Sequence, residues 1–123
     1  MDESYCKLEI FLPESHLEVL AEALRSVDAG HIGKYDGCFS YGPVTGCWRS
    51  LPGAEPFIGR EGELSREPEV KVEVTCRRDR AAETVAAVKR VHPYEEPVIN
   101  VIPLWRTGLG RAGEDSQSKE ETP

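Results

Sequence analysis

The sequence predicts an α+β fold, a ferredoxin-like βαββαβ sandwich with an extra β-hairpin and a long loop. Two segments, "CKLEIFL" (residues 6–12) and "VKVEVTC" (residues 70–76), alternate apolar and polar side chains, which is typical of half-buried strands. Each is followed by a stretch with apolar residues at helical spacing. The resulting order of strand, helix, hairpin, strand, helix, strand is the split arrangement in which two helices cover one face of an antiparallel sheet.

The first helix is expected within "PESHLEVLAEALRSVDAG". Ser15 and Glu18 match the capping-box pattern, in which both side chains bind backbone amides at the start of a helix. Gly30 suits the position just after the last turn. Apolar residues recur along one helical face, and they are Leu17, Leu20, Ala21, Leu24 and Val27.

The second helix is expected within "RAAETVAAVKRV", with Asp79 as its N-cap. Pro93 disfavours helical geometry at the residue before it, so the helix should end near Val91. The final strand is expected within "VINVIPL", where Pro103 indicates an edge position or a strand end.

The stretch between the first helix and the second alternating strand is rich in glycine and proline. We expect residues 34–41 and 47–51 to pair as a hairpin around a turn at residues 42–46. Residues 52–68 should then form a long loop without regular structure, because proline and glycine recur through it. A loop of that length in a small domain is usually functional or mobile, and the sequence leaves open whether it binds a ligand.

The second face of the sheet is expected to be covered by another chain. Phe11, Ile99 and Val101 fall on the strand phase that we assign to the side away from the helices. A domain of this length has no further element to bury them, so the sequence predicts an oligomer.

The chain has 123 residues, a formal net charge of −7 and 39% hydrophobic residues, which suits one small domain. We place that domain at residues 4–105. Residues 106–123 contain no aromatic residue and one large aliphatic, so we interpret them as a disordered polar tail. No apolar run approaches the ~20 residues of a membrane span, and the polar N-terminus does not match a signal peptide, so a cytoplasmic location is expected. The acidic balance argues against nucleic-acid binding.

Four cysteines occur, and none of their spacings is C-x-x-C, so a zinc knuckle or a redox motif is not indicated. Cys6 and Cys76 fall on the apolar phase of their strands and are expected to be small buried residues. Cys38 and Cys47 lie in the predicted hairpin, and the pattern leaves their role open.

Three separated motifs carry a family resemblance: "AGHIGKYDGC", "GAEPFIGREGEL" and "HPYEEP". With these motifs in this order, residues 5–105 resemble the YqfO-type, CutA-like domain of the Nif-three-like family, here as a stand-alone small protein. By fold, that domain is similar to CutA and to PII signalling proteins. The resemblance implies a homotrimer. It does not imply hydrolase chemistry, because the dinuclear metal ligands of long relatives belong to flanking lobes that this chain lacks.

The motif "HPYEEP" gathers His92, Glu95 and Glu96, which are candidate ligands of a divalent metal ion such as zinc. Adjacent glutamates in an extended segment point to opposite faces, so one of them would join the histidine and a second chain would complete the site. The structural interpretation is a helix-to-strand turn, in which two prolines restrict the backbone and Tyr94 packs.

Other candidate sites have weaker patterns. Cys38 and His31 are the one local pair that suits nucleophilic catalysis. "GREGEL" lacks the phosphate-loop pattern and has no helix after it, so we reject a phosphate loop. Arg60 and Arg66 would meet a small anionic ligand if the long loop resembles the effector loop of PII-like proteins.

These observations predict a protein without enzyme activity of its own. Its expected role is that of a ligand-responsive or metal-responsive accessory module, similar to CutA and PII proteins. Two alternatives remain: an interaction domain that docks on a separate partner protein, and a metal-dependent hydrolase.

Overall fold

The computed structural model describes residues 4–109, which form one four-stranded antiparallel sheet with two helices on one face. Short 3₁₀ turns, Glu14–His16 and Arg78–Arg80, precede the helices. The elements in chain order are β1 (Tyr5–Leu12), α1 (Leu17–Ser26), β2 (Ser40–Arg49), β3 (Leu64–Arg77), α2 (Ala81–Val91) and β4 (Ile99–Pro103).

The strand order across the sheet is β2-β3-β1-β4, and every neighbouring pair is antiparallel. This is the order of a ferredoxin-like βαββαβ fold, so the predicted fold class is confirmed. β4 is an edge strand, which accounts for Pro103 at its end.

The core lies between the sheet and the helices. Alternate residues of β1, from Cys6 to Leu12, are buried, and so are the facing residues of β3 from Val70 to Cys76. The helices close this layer with Leu20, Leu24, Ala87 and Val88. Each large apolar side chain buried in this way contributes about 1.5–3 kcal/mol to the stability of the fold.

The predicted helix caps are wrong. The side chain of Ser15 bonds to the His16 ring instead of a helix amide, and the carboxylate of Asp79 pairs with Arg77. The 3₁₀ turns take up the positions where capping side chains were expected, and α1 also ends at Ser26, before Gly30.

The predicted hairpin around residues 42–46 is also wrong. Residues 40–49 form the continuous strand β2, which pairs along its whole length with β3. Glycine and proline suggested a turn, but β2 is an edge strand with a single strand neighbour. Proline is tolerated at such an edge because the amide hydrogen that it lacks would have no strand partner on the open side. The extra hairpin is therefore formed by β2 and the start of β3, and the connecting loop shortens to residues 50–63.

Beyond Pro43 and Val70, β2 and β3 continue as a two-stranded extension, which we call the arm (residues 44–49 and 64–69). The arm projects past β1, because β1 pairs with β3 only from Val70 onward. It leaves one side of its backbone without a strand neighbour, which suits Pro68 within it.

The predicted second face also needs correction. Ile99 and Val101 pair with Ile10 and Leu8, so they lie on the helix side of the sheet. Apolar residues occur at both alternating sets of positions in "VINVIPL". The sequence alone therefore did not determine which set faces the helices. Phe11 does lie on the second face. The centre of that face is charged, with ion pairs that join Lys7 to Glu73 at 2.6 Å and Lys71 to Glu9 at 3.2 Å.

Within residues 4–109, no helix is both long and apolar enough to cross a membrane. Residues 104–109 follow β4 without regular structure. The predicted disordered tail falls mostly on residues 110–123, which lie outside the described residues, so it stays a prediction.

The buried cysteine pair generates a prediction about thiol reactivity. The sulfur atoms of Cys6 and Cys76 lie 3.5 Å apart in the core, and burial raises the pKa of the Cys76 thiol to about 12. Since the thiolate is the reactive form, brief alkylation of the native protein should label exposed Cys47 first and leave Cys6 and Cys76 unlabelled. Mass spectrometry of the digested protein measures this order.

In concentrated guanidinium chloride all four cysteines should react at similar rates, which controls for reagent access. Labelling of Cys76 in the native protein as fast as that of Cys47 would contradict the buried placement.

Candidate functional site

The motif "HPYEEP" forms the turn between α2 and β4 (the 92–97 turn). α2 ends at Val91, as predicted, because His92 takes extended geometry (φ −76°, ψ 131°) before Pro93. The chain then bends through Tyr94, Glu95 and Glu96 and enters the last strand.

His92 anchors this turn to β1. Its Nε2 donates to the carbonyl oxygen of Phe11 at 2.6 Å, and its Nδ1 accepts the backbone N–H of Tyr94 at 3.2 Å. The residue is buried, and this loss of solvation lowers the pKa of the imidazole. His92 is therefore a neutral ring that connects two elements of the fold.

The three candidate metal ligands do not converge within one chain. Both ring nitrogens of His92 are used, Glu95 Oε1 accepts the backbone N–H of Glu55 at 2.9 Å, and Glu96 is exposed. Across residues 4–109, no group of three or more His, Cys, Asp and Glu side chains could hold a metal ion. A metal site at His92, Glu95 and Glu96 stays a prediction that requires His92 to exchange its partners and a second chain to supply ligands.

Tyr94 points from the turn to the arm. Its hydroxyl donates to Glu69 Oε2 at 2.7 Å, and only 8% of the Glu69 surface is exposed. Burial and the bond to Glu69 both raise the pKa of the Tyr94 phenol, so it remains a hydrogen-bond donor at neutral pH. This contact connects the 92–97 turn to the start of β3.

Gly46 makes room for the Glu69 carboxylate. A Cβ atom at this position would collide with both carboxylate oxygens of Glu69. The glycine therefore serves the close approach of a neighbouring side chain and not a turn.

Aromatic rings collect around Tyr94. The centroid of its ring lies 5.8 Å from that of Trp48, 6.2 Å from that of Phe57 and 5.0 Å from that of His92. Phe57 comes from the centre of the loop and packs back onto the domain at this ring. Gly59 (φ 103°) brings the loop backbone close to Trp48 and Ser65.

The arm, the loop and the 92–97 turn, together with Phe11 of β1 and Val98, line an open cavity of about 550 Å³, which we call the Tyr94 cavity. Its size suits a small organic molecule. Most of its lining is apolar or aromatic, and the charged lining residues are Arg49, Glu69, Glu95 and Glu96. Arg60 and Arg66 do not line it, so an anionic ligand held by those two residues stays a prediction without support from the cavity.

His31 and Cys38 do not form a catalytic pair. His31 bonds through Nδ1 to Asp28 and through Nε2 to the carbonyl oxygen of Gly33, each at 2.9 Å. The Cys38 thiol donates instead to the carbonyl oxygen of Asp36. No base is therefore aligned with this thiol among the described residues.

Glu69, whose carboxylate is buried in this site, was not among the site residues predicted from the sequence. By strand alternation Glu69 lies on the polar phase of β3, and its burial comes from Tyr94 and the arm. The signal that could have found it is Gly46, because an isolated glycine inside a strand indicates close approach of another group.

The packing at Gly46 generates a stability prediction. Gly46→Ala should push the Glu69 carboxylate away from Tyr94 and lower the free energy of unfolding by about 1.5–3 kcal/mol, which is the value of a hydrogen bond to a charged group. The measurement is a denaturant unfolding curve.

Gly42→Ala in the same strand is the matched control. No atom lies within 4 Å of a Cβ at Gly42, so this variant should keep or gain stability, by up to ~1 kcal/mol. Equal losses in the two variants would contradict the placement of Glu69.

The lowered pKa of His92 generates a prediction about pH. Below the unfolded-state pKa of about 6.5, the unfolded chain binds a proton that the folded chain resists. Stability is therefore full above about pH 6.5 and falls as the pH drops toward the folded-state pKa. The thermal midpoint should fall less between pH 7.5 and pH 5.5 in His92→Gln, which keeps an N–H donor and does not titrate.

His31 acts in the opposite direction, because its bond to Asp28 raises its pKa. Both proteins contain His31, so its contribution cancels in the comparison. A parallel pH dependence in the wild type and in His92→Gln would refute the buried neutral histidine.

A family model described as "CutA1 divalent ion tolerance protein" matches residues 43–108, which is more than half of the chain. The match includes the arm, the loop, α2 and the 92–97 turn. It therefore covers all the lining residues of the Tyr94 cavity except Phe11.

Longer proteins are also similar. A "GTP cyclohydrolase 1 type 2 homolog" of Halalkalibacterium halodurans is 38% identical over 97% of this chain, which spans 34% of that protein. A solved structure of a Bacillus cereus protein related to NIF3 has a TM-score of 0.74 and 32% identity, over 87% of this chain and 27% of that one. This chain thus spans about a third of the length of such relatives.

The fold recurs in proteins of similar size. The PII-like protein CutA from Nostoc sp. PCC 7120 superposes with a TM-score of 0.60 and 21% identity, and the match covers 81% of each chain. The chain therefore belongs to the CutA1 family, and it is the YqfO-type form of that domain, which it shares with the Nif-three-like relatives.

Proposed function

We propose that this protein is a homotrimeric, non-enzymatic accessory module that binds a small ligand in the Tyr94 cavity. The observation that carries the proposal is the cavity itself. The arm with its loop (residues 44–69), the 92–97 turn and Phe11 of β1, which are distant from one another in sequence, line it together, and the lining includes the buried carboxylate of Glu69. A cavity built in this way changes shape when the loop moves, so its occupation can alter the surface that the loop presents.

A regulatory role is better supported than catalysis. The lining includes the nucleophiles Cys47 and Ser50, but no histidine or lysine is among the lining residues to activate them. His92 lies close to the cavity with both ring nitrogens already bonded. The CutA and PII-like fold also favours a small regulatory module. The longer relatives are named as homologs of a cyclohydrolase, but this chain spans only about a third of their length, so that name is weak support for catalysis by this chain.

The homotrimer rests on the resemblance to CutA and PII proteins and on exposed apolar side chains. Leu64 at the end of the arm is 74% exposed, and Tyr41 in β2 and Val101 in β4 are also exposed. A second chain would bury these residues at favourable free energy. The family description also supports interaction with divalent ions, for which a second chain would have to complete the ligand set.

Docking on a separate partner protein is a second candidate function. The observation that favours it is that this chain matches only about a third of the longer relatives. In those relatives the matching segment belongs to the same chain as the remaining two thirds. A monomeric protein that binds no small ligand would favour this candidate over the homotrimeric module.

The proposal predicts a trimer and a ligand-dependent gain in stability. Light scattering should give about three times the chain mass of 13.7 kDa. A panel of nucleotides, amino acids, amines and divalent ions should contain a member that raises the thermal midpoint. At ten times its Kd, such a ligand adds about 1.4 kcal/mol, which corresponds to a rise of ~5 °C or more.

A cavity-filling variant tests the location. Ala54 lines the cavity, so Ala54→Trp should abolish the ligand-dependent rise. Ala82 is exposed on α2, and Ala82→Trp should keep it. A monomeric mass would refute the trimer, and an unchanged response in Ala54→Trp would refute the site.

A further inference from the structure

We infer that the ligand of the Tyr94 cavity is a small organic cation with N–H donors, namely a protonated amine, amidine or guanidine on an apolar or flat body. This inference rests on the proposed function, because it names the chemical class for the same cavity.

Glu69 is a buried acceptor with too few donors. An ionised carboxylate accepts about four hydrogen bonds and donates none. Within residues 4–109, the one hydrogen bond to this carboxylate comes from the Tyr94 hydroxyl, and no Lys, Arg or His forms an ion pair with it. A buried charge without a counter-charge is unfavourable, so the site is suited to a group that brings both N–H donors and positive charge.

The walls suit the rest of such a ligand. Trp48, Phe57 and Tyr94 surround the same space, and aromatic faces attract cations as well as apolar groups. A flat cation would therefore place its charged end at Glu69 and its body among the rings.

The remaining charges favour a cation over an anion. Glu95 and Glu96 line the cavity with Glu69, whereas Arg49 is the basic lining residue. An anion would meet three carboxylates there and would lose its own solvation without enough donors. A bare divalent ion is also a poor match, because Glu95 is bonded to the loop and no cluster of three ligands exists among residues 4–109.

The test compares benzamidine with benzamide, two molecules of nearly the same shape of which only the first is charged. Calorimetry on the full chain should give a Kd for benzamidine below about 1 mM, and a Kd for benzamide at least ~10-fold weaker, because a hydrogen bond to a charged group is worth that factor or more. Equal affinities of the wild type for the two compounds would overturn the inference.

Glu69→Gln keeps the shape of the side chain and removes its charge. This variant should raise the Kd of benzamidine at least ~10-fold and leave the Kd of benzamide unchanged. Glu67→Gln is the matched control two residues earlier in β3, since Glu67 does not line the cavity, and it should bind benzamidine like the wild type. Circular dichroism verifies that both variants are folded, and the comparison of the two compounds on the wild type needs no variant.

The outcomes separate this inference from the proposed function. If benzamidine does not bind while another ligand of the panel does, the inference fails and the ligand-binding module stands. If nothing binds, both fail. If a basic residue of a second copy pairs with Glu69, then Glu69→Gln will change the oligomeric mass and leave the Kd of benzamidine unchanged, which also overturns the inference.

Discussion

The hydrogen bond from the Tyr94 hydroxyl to the Glu69 carboxylate joins parts of the protein that the sheet does not connect. The arm has only its own two strands, because β1 stops pairing at Val70. The 92–97 turn is fixed separately, through His92 and the carbonyl oxygen of Phe11. Tyr94 links these two regions, and the loop packs on the same ring through Phe57. The shape of the cavity therefore depends on this buried polar contact as well as on the strand ladder.

Much of the fold could be predicted because β1, β3 and both helices carry strong periodic patterns. β2 could not, because Gly42, Pro43 and Gly46 are typical of a turn in isolation. Two of these residues are explained by tertiary structure. Pro43 lies in a strand at the open edge of the sheet, and Gly46 leaves the space that the Glu69 carboxylate occupies. The phase of β4 was also undetermined, since apolar residues occupy both of its sides and the pairing with β1 decides between them.

In the site, too, features with a local cause could be predicted from the sequence, and features that depend on distant residues could not. The end of α2 at Val91 was predicted correctly, because Pro93 acts locally on the backbone of the residue before it. The grouping of His92, Glu95 and Glu96 suggested a metal site, but adjacent residues in a turn point to different partners. Glu69 was missed because its burial is produced by Tyr94, 25 residues later in the chain. A charged residue on the polar phase of a strand gives no local sign that a distant element will cover it.

Proline in the two edge strands has a consequence for solubility. The sheet is open at β2 and at β4, and an open edge is a template on which further chains can add by backbone hydrogen bonds. Pro43 removes one amide donor from the first edge and Pro103 removes one from the second. Each edge thus carries an interruption that disfavours continuous strand addition, so the sheet resists growth into fibrils at both of its ends.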